Sequence, residues 1–197
     1  MVDCASYMES MLRFIAISIL ILLITPAATP ALAQKYDYFE VENNDLVWRY
    51  TFDYVGSTDS LRKEVVQMLK SKFFTFNVTR NEVGYMGEIN HYKVNCKQYG
   101  RTYYNTPRMY WDGEWIGKFK VEVVDNHYMV TIYALYYEKM EQSIGYYRTE
   151  KPVKGRYIDA VTKKHQTTFK KSELPNMVMM SVGLRNDFDI KNTVLIR

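Results

Sequence analysis

Residues from which metal and cofactor sites are built are scarce in this sequence. It holds two cysteines and three histidines, and no H-E-x-x-H or H-x-H spacing joins His91, His127 and His165. A zinc site with four cysteine ligands is therefore excluded. The sequence also lacks the G-x-S-x-G, Walker and G-x-G-x-x-G patterns. We expect no cofactor, no metal site and no catalytic residue that a motif would identify.

The sequence also lacks a long apolar run, and the main apolar run that it does contain is short. Residues 14–24 follow a basic start at Arg13 and precede the triplet Ala31-Leu32-Ala33, which is the pattern of a secretory signal peptide and its cleavage site. A membrane span would need about 20 apolar residues. We therefore predict a signal peptide at 1–33, with Met11 as an alternative natural start. The other interpretation of the run is a buried N-terminal helix.

Cysteine usage fits an exported chain that carries no disulfide. Cys4 precedes the apolar run of the predicted leader, so it cannot accept a lipid, and the chain is not predicted to be a lipoprotein. Cys96 is the only cysteine after the leader, so no disulfide can form within the mature chain. Its place in an alternating segment predicts a buried thiol. The alternative is a reactive thiol paired in space with His91 or His127.

The predicted mature chain, 34–197, has the length of a single domain. We expect export to the periplasm or the extracellular space, with no integral membrane span after cleavage. The formal net charge of the whole chain is only +4, which is too weak to indicate a nucleic-acid partner. Basic residues concentrate in a hydrophilic segment at about 140–172, which we predict to be a solvated insertion in the domain.

Alternation of apolar and polar side chains over 115–138 is the strongest pattern. A period of two places successive side chains on opposite faces of a strand, and Asp125-Asn126 between the two runs tolerates the positive φ of a tight turn. We predict an antiparallel hairpin with one buried face. The predicted buried side chains are those of Phe119, Val121, Val123, Tyr128, Val130, Ile132 and Ala134. Those predicted to face the other way are Lys118, Lys120, Glu122, Met129, Thr131, Tyr133 and Leu135.

Two helices and further strands are predicted around this hairpin. Apolar residues at helical spacing indicate a helix over about 59–72 and a second one that begins near Ser172. The apolar faces of these helices are Leu61, Val65, Met68, Leu69 and Phe73, and then Met177, Met180, Leu184 and Phe188. Strands are predicted at 34–44, 46–55, 75–79, 83–86 and 88–97, with weaker signals at 144–148, 156–160 and 193–196. This order predicts an α+β fold, an antiparallel sheet with helices packed on one face.

Several of these segments together resemble a known family. They are WRYTFDY, TDSLRKEVVQMLK, GYMGEI and GKFKVEVVDNHYMVTIYALYYE, and they resemble a domain-of-unknown-function family of secreted Bacteroides-type bacterial proteins described as having a TBP-like fold. The resemblance covers roughly 46–138. It implies a β-α-β(4)-α arrangement followed by a C-terminal extension. It assigns no activity, so it transfers no functional residue, and a fold alone implies nothing about function.

Aromatic residues are plentiful, with 18 tyrosines, 9 phenylalanines and 3 tryptophans, and many of them lie in a predicted loop between 99 and 115. Aromatic rings beside charged hydrogen-bonding groups suit sugar rings or peptides. The candidate ligand-binding residues are Tyr99, Arg101, Tyr103, Tyr104, Arg108, Tyr110, Trp111 and Asp112. The alternative is that these rings pack the loop onto the sheet. A second candidate surface is the polar sheet face, with Arg49, Lys93, Lys118, Lys120 and Tyr133, which could equally be an ordinary solvated face.

The function that these features favour is a non-catalytic binding or accessory module of the cell envelope. Its partner would be an envelope glycan, a peptide or a protein. The alternative is a structural subunit of a periplasmic assembly, which would pair through an edge strand or through the basic insertion. An enzyme of unknown type is the third interpretation, because no motif supports one.

Overall fold

The computed structural model describes residues 35–142, 150–163 and 168–192. These residues all fall within one unit of the chain, 33–197. Some predicted features lie outside the described residues: the leader at 1–33, the strands at 144–148 and 193–196, and the parts of the basic segment at 143–149 and 164–167.

Eight strands of the described residues form one antiparallel sheet. They are β1 (Lys35–Tyr36), β2 (Phe39–Glu42), β3 (Asp45–Asp53), β4 (Thr75–Arg80), β5 (Gly84–Tyr92), β6 (Glu114–Val124), β7 (His127–Gln142) and β8 (Glu150–Arg156). Their order across the sheet is β1-β2-β3-β7-β6-β5-β4, and β8 pairs with the C-terminal half of β7. The predicted lead-in strand is thus the β1–β2 pair at one edge of the sheet, and β4 forms the other edge.

Four α-helices and two 3-10 helices occur among the described residues. The α-helices are α1 (Thr58–Ser71), α2 (Arg108–Trp111), α3 (Tyr157–Val161) and α4 (Leu174–Phe188), and the 3-10 helices are Cys96–Tyr99 and Ile190–Asn192. Ser57 caps α1, because its side chain accepts a hydrogen bond from the N–H of Ser60 at 3.2 Å. Pro175 lies in the first turn of α4, where its missing N–H is tolerated. Both predicted helices are therefore confirmed.

The two long helices pack on the same face of the sheet, which confirms the predicted α+β class. Their buried apolar residues include Leu61, Val65, Met68 and Leu69 of α1 and Met177, Met180, Leu184 and Phe188 of α4. Trp48 of β3 donates a hydrogen bond from Nε1 to Oγ of Ser181, 3.0 Å away. The hydroxyl of Tyr128 in β7 donates to the carbonyl of Phe188 at 2.8 Å. Since burying each large apolar side chain contributes about 1.5–3 kcal/mol, this interface dominates the stability of the fold.

The strand and helix order that the family resemblance implied is present in the chain. It runs as β3, α1, the four strands β4 to β7, and then α4. The chain adds β1 and β2 at one edge, the short helices α2 and α3, and β8 beside β7. The central hairpin has the predicted register, with Val121 opposite Val130 and Phe119 opposite Ile132, and all four side chains are fully buried.

The predicted alternation of β7 is wrong at its middle, because a β-bulge interrupts the strand there. Gly117 of β6 faces both Ala134 and Leu135, as the register shifts between Ile116 and Lys118. Ala134 adopts a left-handed conformation with φ of 51°. The slip of one residue turns Leu135 onto the helix-covered face, where it is buried, instead of the polar face on which the sequence pattern placed it.

The segment predicted as a solvated insertion belongs to the fold wherever it is described. β8 pairs with β7 from Tyr136 opposite Arg156 to Gln142 opposite Glu150. Its continuation is helix α3, which contradicts the strand predicted at 156–160. The apolar residues that this segment contributes to the core are Tyr157, Ile158, Val161 and Phe169. Its polar composition concealed these few apolar positions.

Two smaller predictions near the ends of elements are also wrong. Phe73 does not extend the apolar face of α1, because the helix ends at Ser71 and Phe73 exposes 75% of its surface while Phe74 is buried. The strand predicted at 88–97 ends at Tyr92, and Cys96 begins a 3-10 helix. Cys96 is nevertheless buried, as predicted.

Candidate functional site

The predicted aromatic loop connects β5 to β6, and local hydrogen bonds give it a defined shape. Its 3-10 helix, Cys96–Tyr99, is capped by Gly100, whose φ of 68° lies in the left-handed region that glycine favours. A turn follows, in which the N–H of Thr102 donates to Oδ1 of Asn105 at 2.8 Å and the N–H of Asn105 donates to the carbonyl of Thr102 at 3.2 Å. α2 then leads into β6. The loop therefore holds its aromatic side chains in fixed positions.

Tyr110 is in the core, so the structure separates it from the other predicted ligand-binding residues. Its ring is fully buried and lies 5.6 Å from the ring of Trp115. Its hydroxyl oxygen is 3.1 Å from that of Tyr157 and 3.4 Å from Oε2 of Glu173. Burial, together with the nearby Tyr157 and Glu173, raises the pKa of Tyr110 well above its usual range. Tyr110 therefore anchors the loop to the core instead of meeting a ligand.

Tyr99 also anchors the loop, although it stays half-buried. Its hydroxyl accepts a hydrogen bond from Nδ2 of Asn186 in α4 at 3.4 Å, and burial raises its pKa. Arg101 is half-buried, and its backbone N–H donates to the carbonyl of Cys96 at 3.1 Å. Neither residue is part of an exposed ring cluster.

Two aromatic residues of the loop are exposed, and the half-buried Trp111 lies beside them. Tyr104 exposes 95% of its surface and Tyr103 exposes 39%. The rings of Tyr103 and Tyr104 meet edge to face with centroids 5.7 Å apart, and Tyr103 meets Trp111 in the same way at 6.2 Å. We call Tyr103, Tyr104 and Trp111 the aromatic surface. It is the part of the predicted site that the structure brings together.

Charged side chains flank the aromatic surface. The guanidinium of Arg108 lies 4.4 Å from the centre of the Tyr103 ring, and its Nη1 is 3.1 Å from Oδ2 of Asp112. Such a cation over an aromatic face is attracted by the ring. Lys97, which the sequence prediction missed, places its Nζ 5.9 Å from the ring of Trp111. Lys97 lies three residues before Gly100 in the sequence. Its contact with Trp111 could not be predicted, because the register of the 3-10 helix cannot be predicted from the sequence.

The second predicted surface is largely occupied by ion pairs. Arg49 binds Glu42 with Nη1 and Oε1 2.9 Å apart, and Lys120 binds Glu122 at 2.8 Å. Lys93 lies beyond the end of β5, where its Nζ is 2.9 Å from Oε1 of Glu114. The remaining two predicted residues, Lys118 and Tyr133, face each other across β6 and β7.

A depression of about 340 Å³ opens on this sheet face beside the bulge of β7. Lys118, Ile116, Tyr136 and Lys154 are among its lining residues. Nζ of Lys154 lies 5.6 Å from the centre of the Tyr136 ring. The polar sheet face therefore combines ion pairs with a depression lined by Lys118 and Lys154.

The catalytic alternative for Cys96 would pair its thiol with a histidine. The thiol of Cys96 donates to the carbonyl of Tyr110 at 3.2 Å, and burial raises its pKa. Nδ1 of His91 lies 2.6 Å from Oε2 of Glu114, so the thiol and this imidazole have different partners. Within 35–142, 150–163 and 168–192, no group of three or more His, Cys, Asp or Glu residues could hold a metal ion.

A comparison with solved structures gives a similarity of fold. No family model matches the chain, and no curated protein matches it. The crystal structure of a TBP-like protein from Parabacteroides distasonis ATCC 8503 is similar to it, with 13% sequence identity and a TM-score of 0.48. The match covers 78% of this chain and 96% of that chain. A similarity at this level indicates nothing about a ligand or an activity.

The length and hydropathy of the helices decide whether any of them could span a membrane. None of the helices among the described residues is both long enough and apolar enough to span a bilayer.

Proposed function

We propose that this protein is an exported, non-catalytic binding module of the cell envelope and that it binds its ligand through the aromatic surface. The observation that supports the proposal most directly is the position of Tyr104. It exposes 95% of its surface on a loop whose other aromatic residues are partly or fully packed. Tyrosine offers a large contact area with a polar end at low entropic cost. A ring in this position adds nothing to the core and is available to a partner.

The support beneath the surface favours binding without rearrangement. Tyr103 lies between Tyr104 and Trp111, and the guanidinium of Arg108 covers the ring of Tyr103. Arg108 is itself held by Asp112. Because these contacts order the rings before a ligand arrives, binding loses less conformational entropy. A ligand with flat apolar faces and polar edges fits this chemistry, as the sugar units of an envelope glycan or a peptide do.

The proposal is tested with Tyr104→Ala, alone and combined with Trp111→Ala, on glycan and peptide arrays. We expect both variants to lose binding by about tenfold or more, an effect of about 1.4 kcal/mol, while Tyr104→Ala leaves the melting temperature unchanged. Phe76→Ala is the matched control, because Phe76 is an exposed ring of β4 outside the loop. Unchanged binding by both variants would rule out the aromatic surface as the site.

Export is supported by the leader pattern alone. It is tested by expressing the full chain in a bacterial host and measuring the mass of the protein recovered from the periplasm. We expect a mature chain that begins at Gln34. A full-length protein that stays in the cytoplasm would contradict export and leave the binding proposal to be judged by the arrays.

A second candidate function is a structural subunit of a periplasmic assembly, and the edge strand β4 favours it. The exposed residues of β4 include the apolar Phe76 and Val78, and the open side of an edge strand can pair with another strand. A bulge at Asn77, with φ of 51°, interrupts this edge and limits such pairing. Light scattering that shows an assembly dispersed by Val78→Lys would support self-association, and a strict monomer at high concentration would exclude it.

A further inference from the structure

A small polar cleft lies on the helix-covered side of the molecule, at the C-terminal half of α4. Its volume is about 190 Å³, which is less than the roughly 300–1,000 Å³ of pockets for drug-sized ligands. Residues from four separate segments line it, including Phe73, Tyr92, Asn95, Tyr99, Asn186 and Asp187. We call it the α4 cleft. Its size suits a ligand of one ring.

Hydroxyl and amide groups converge at the floor of the α4 cleft. A Cβ atom on Gly183 would lie 3.0 Å from the hydroxyl oxygen of Tyr92 and 3.8 Å from that of Tyr99, so both hydroxyls lie close to the bare backbone of Gly183. Asn186 donates to Tyr99, and Asp187 lines the cleft together with Tyr92. Any side chain at Gly183 would fill the space in front of these groups.

The rim of the cleft carries an exposed aromatic ring. Phe73 exposes 75% of its surface, whereas its neighbour Phe74 is buried. The two rings meet edge to face at 5.6 Å with an interplanar angle of 86°. Phe74 therefore supports Phe73 from below, and one side of the Phe73 ring is free at the mouth of a polar cleft.

The charged groups of the cleft are already balanced by other charges. Oδ1 of Asp187 lies 3.9 Å from Nζ of Lys72, and Lys93 is paired with Glu114. A charged ligand would have to compete with these partners. The cleft therefore favours a neutral ligand that both donates and accepts hydrogen bonds.

We propose that the α4 cleft binds one neutral sugar unit. Adjacent hydroxyls of a sugar ring donate and accept, which matches the planar amide of Asn186, the carboxylate of Asp187 and the two tyrosine hydroxyls. The C–H face of the ring is apolar and packs against an aromatic side chain such as Phe73. This site is separate from the aromatic surface and goes beyond the proposed function, so either can hold without the other.

The test is a titration of the purified chain with glucose, galactose, mannose and N-acetylglucosamine, followed by NMR through the backbone amide signals of Asn95, Gly183 and Asn186. We expect at least one sugar to shift these three signals together and to reach saturation. Phe73→Ala should weaken that binding by about tenfold or more, equivalent to about 1.4 kcal/mol. Phe76→Ala should leave it unchanged, since Phe76 lies on β4 and not at the cleft.

Two results would overturn the proposal. One is the absence of any shift at these amides up to about 100 mM sugar, a range in which even an affinity of about 10 mM is visible. The other is an equal shift in wild type and Phe73→Ala, which would place the sugar elsewhere. Because Phe73 is exposed, the variant should fold normally, and its melting temperature verifies this. Tyr104→Ala should leave the cleft signals unaffected, which distinguishes failure here from failure of the aromatic surface.

Discussion

The carboxylate of Asp45 accepts a hydrogen bond from the backbone N–H of Ala134, 2.7 Å away and 89 residues later in the chain. Its other oxygen accepts from the N–H of Leu46 at 2.9 Å. Ala134 is the bulge residue of β7 and has a positive φ, a conformation that costs a residue with a Cβ roughly 1–2 kcal/mol. Asp45 therefore stabilises the β-bulge, at which the alternation of buried side chains in β7 shifts by one residue.

Replacing Asp45 with alanine should destabilise the protein by about 1.5–3 kcal/mol, the usual contribution of a hydrogen bond to a charged group. The N–H of Ala134 would lose its acceptor while the bulge still has to form. Urea unfolding measures the change. Asp53→Ala is the control, because Asp53 is an exposed residue at the other end of the same strand and should cost less than about 0.5 kcal/mol. Equal losses in the two variants would contradict this role of Asp45.

Val121→Asp should abolish or severely weaken folding. Val121 is fully buried opposite Val130, and a charge there would have no partner in the core. Lys120→Asp reverses a charge on the neighbouring residue, which faces the other side of the sheet and pairs with Glu122. Losing an exposed ion pair costs about 1 kcal/mol or less. Thermal unfolding should therefore separate the two variants widely, and equal melting temperatures would show that the register of β6 is wrong.

Cys96 should react slowly with thiol reagents in the folded protein. It is buried, its thiol donates to the carbonyl of Tyr110, and burial raises its pKa, so the reactive thiolate is scarce at neutral pH. The measurement is the rate of iodoacetamide labelling with and without denaturant. We expect complete labelling only after unfolding. Rapid labelling of the native chain would show that the loop opens and exposes the thiol.

Asp187→Asn should stabilise the protein more at pH 7 than at pH 3. Burial raises the pKa of Asp187 in the folded state, against smaller opposite effects of Lys72 and Tyr92. In the unfolded chain an aspartate ionises near 3.9. Ionising Asp187 therefore costs more free energy in the folded protein than in the unfolded chain. As the pH rises from the pKa of the unfolded chain through the higher pKa of the folded protein, the wild type loses stability, and asparagine, which does not ionise, removes this loss. Urea unfolding at both pH values measures it. A variant that is less stable at pH 7 than at pH 3, relative to wild type, would show that the Lys72 pair dominates.

The sequence predicted those parts of the fold whose signals are local. The alternation around Val121 and Val130 gave the hairpin and its register, and the spacing from Leu61 to Leu69 gave α1 to within one residue at each end. Both patterns reflect a single face that must be buried, so they need no knowledge of distant contacts.

The remaining features depend on contacts between distant segments of the chain, which no local sequence pattern predicts. In the sequence, the alternation continues smoothly through Ala134 and Leu135. The extra residue of the bulge is evident only when β7 is paired with β6. Likewise, the loop sequence did not distinguish Tyr110, which enters the core, from Tyr104, which stays in solvent. The polar composition around Tyr157 concealed a residue that the core requires. In each case a tertiary contact decided the outcome.

The candidate sites were predictable to different degrees. The aromatic surface lies within one loop, so composition alone located Tyr103, Tyr104 and Trp111. The α4 cleft draws Phe73 and Asn186 from segments far apart in the chain, and no spacing rule connects them. Composition could indicate a candidate surface built from one stretch of sequence but not a cleft assembled by the fold.

The position of Tyr157 limits how this chain can be shortened. Its ring lies 4.8 Å from that of Trp115 and 5.6 Å from that of Phe39, so it joins the edge strands to the start of β6. A minimal version designed by cutting out the polar stretch after β7 would leave a hole between these two rings and release Tyr110 from its hydroxyl partner. Truncations, fusions and inserted tags should therefore keep β8, α3 and Phe169 intact.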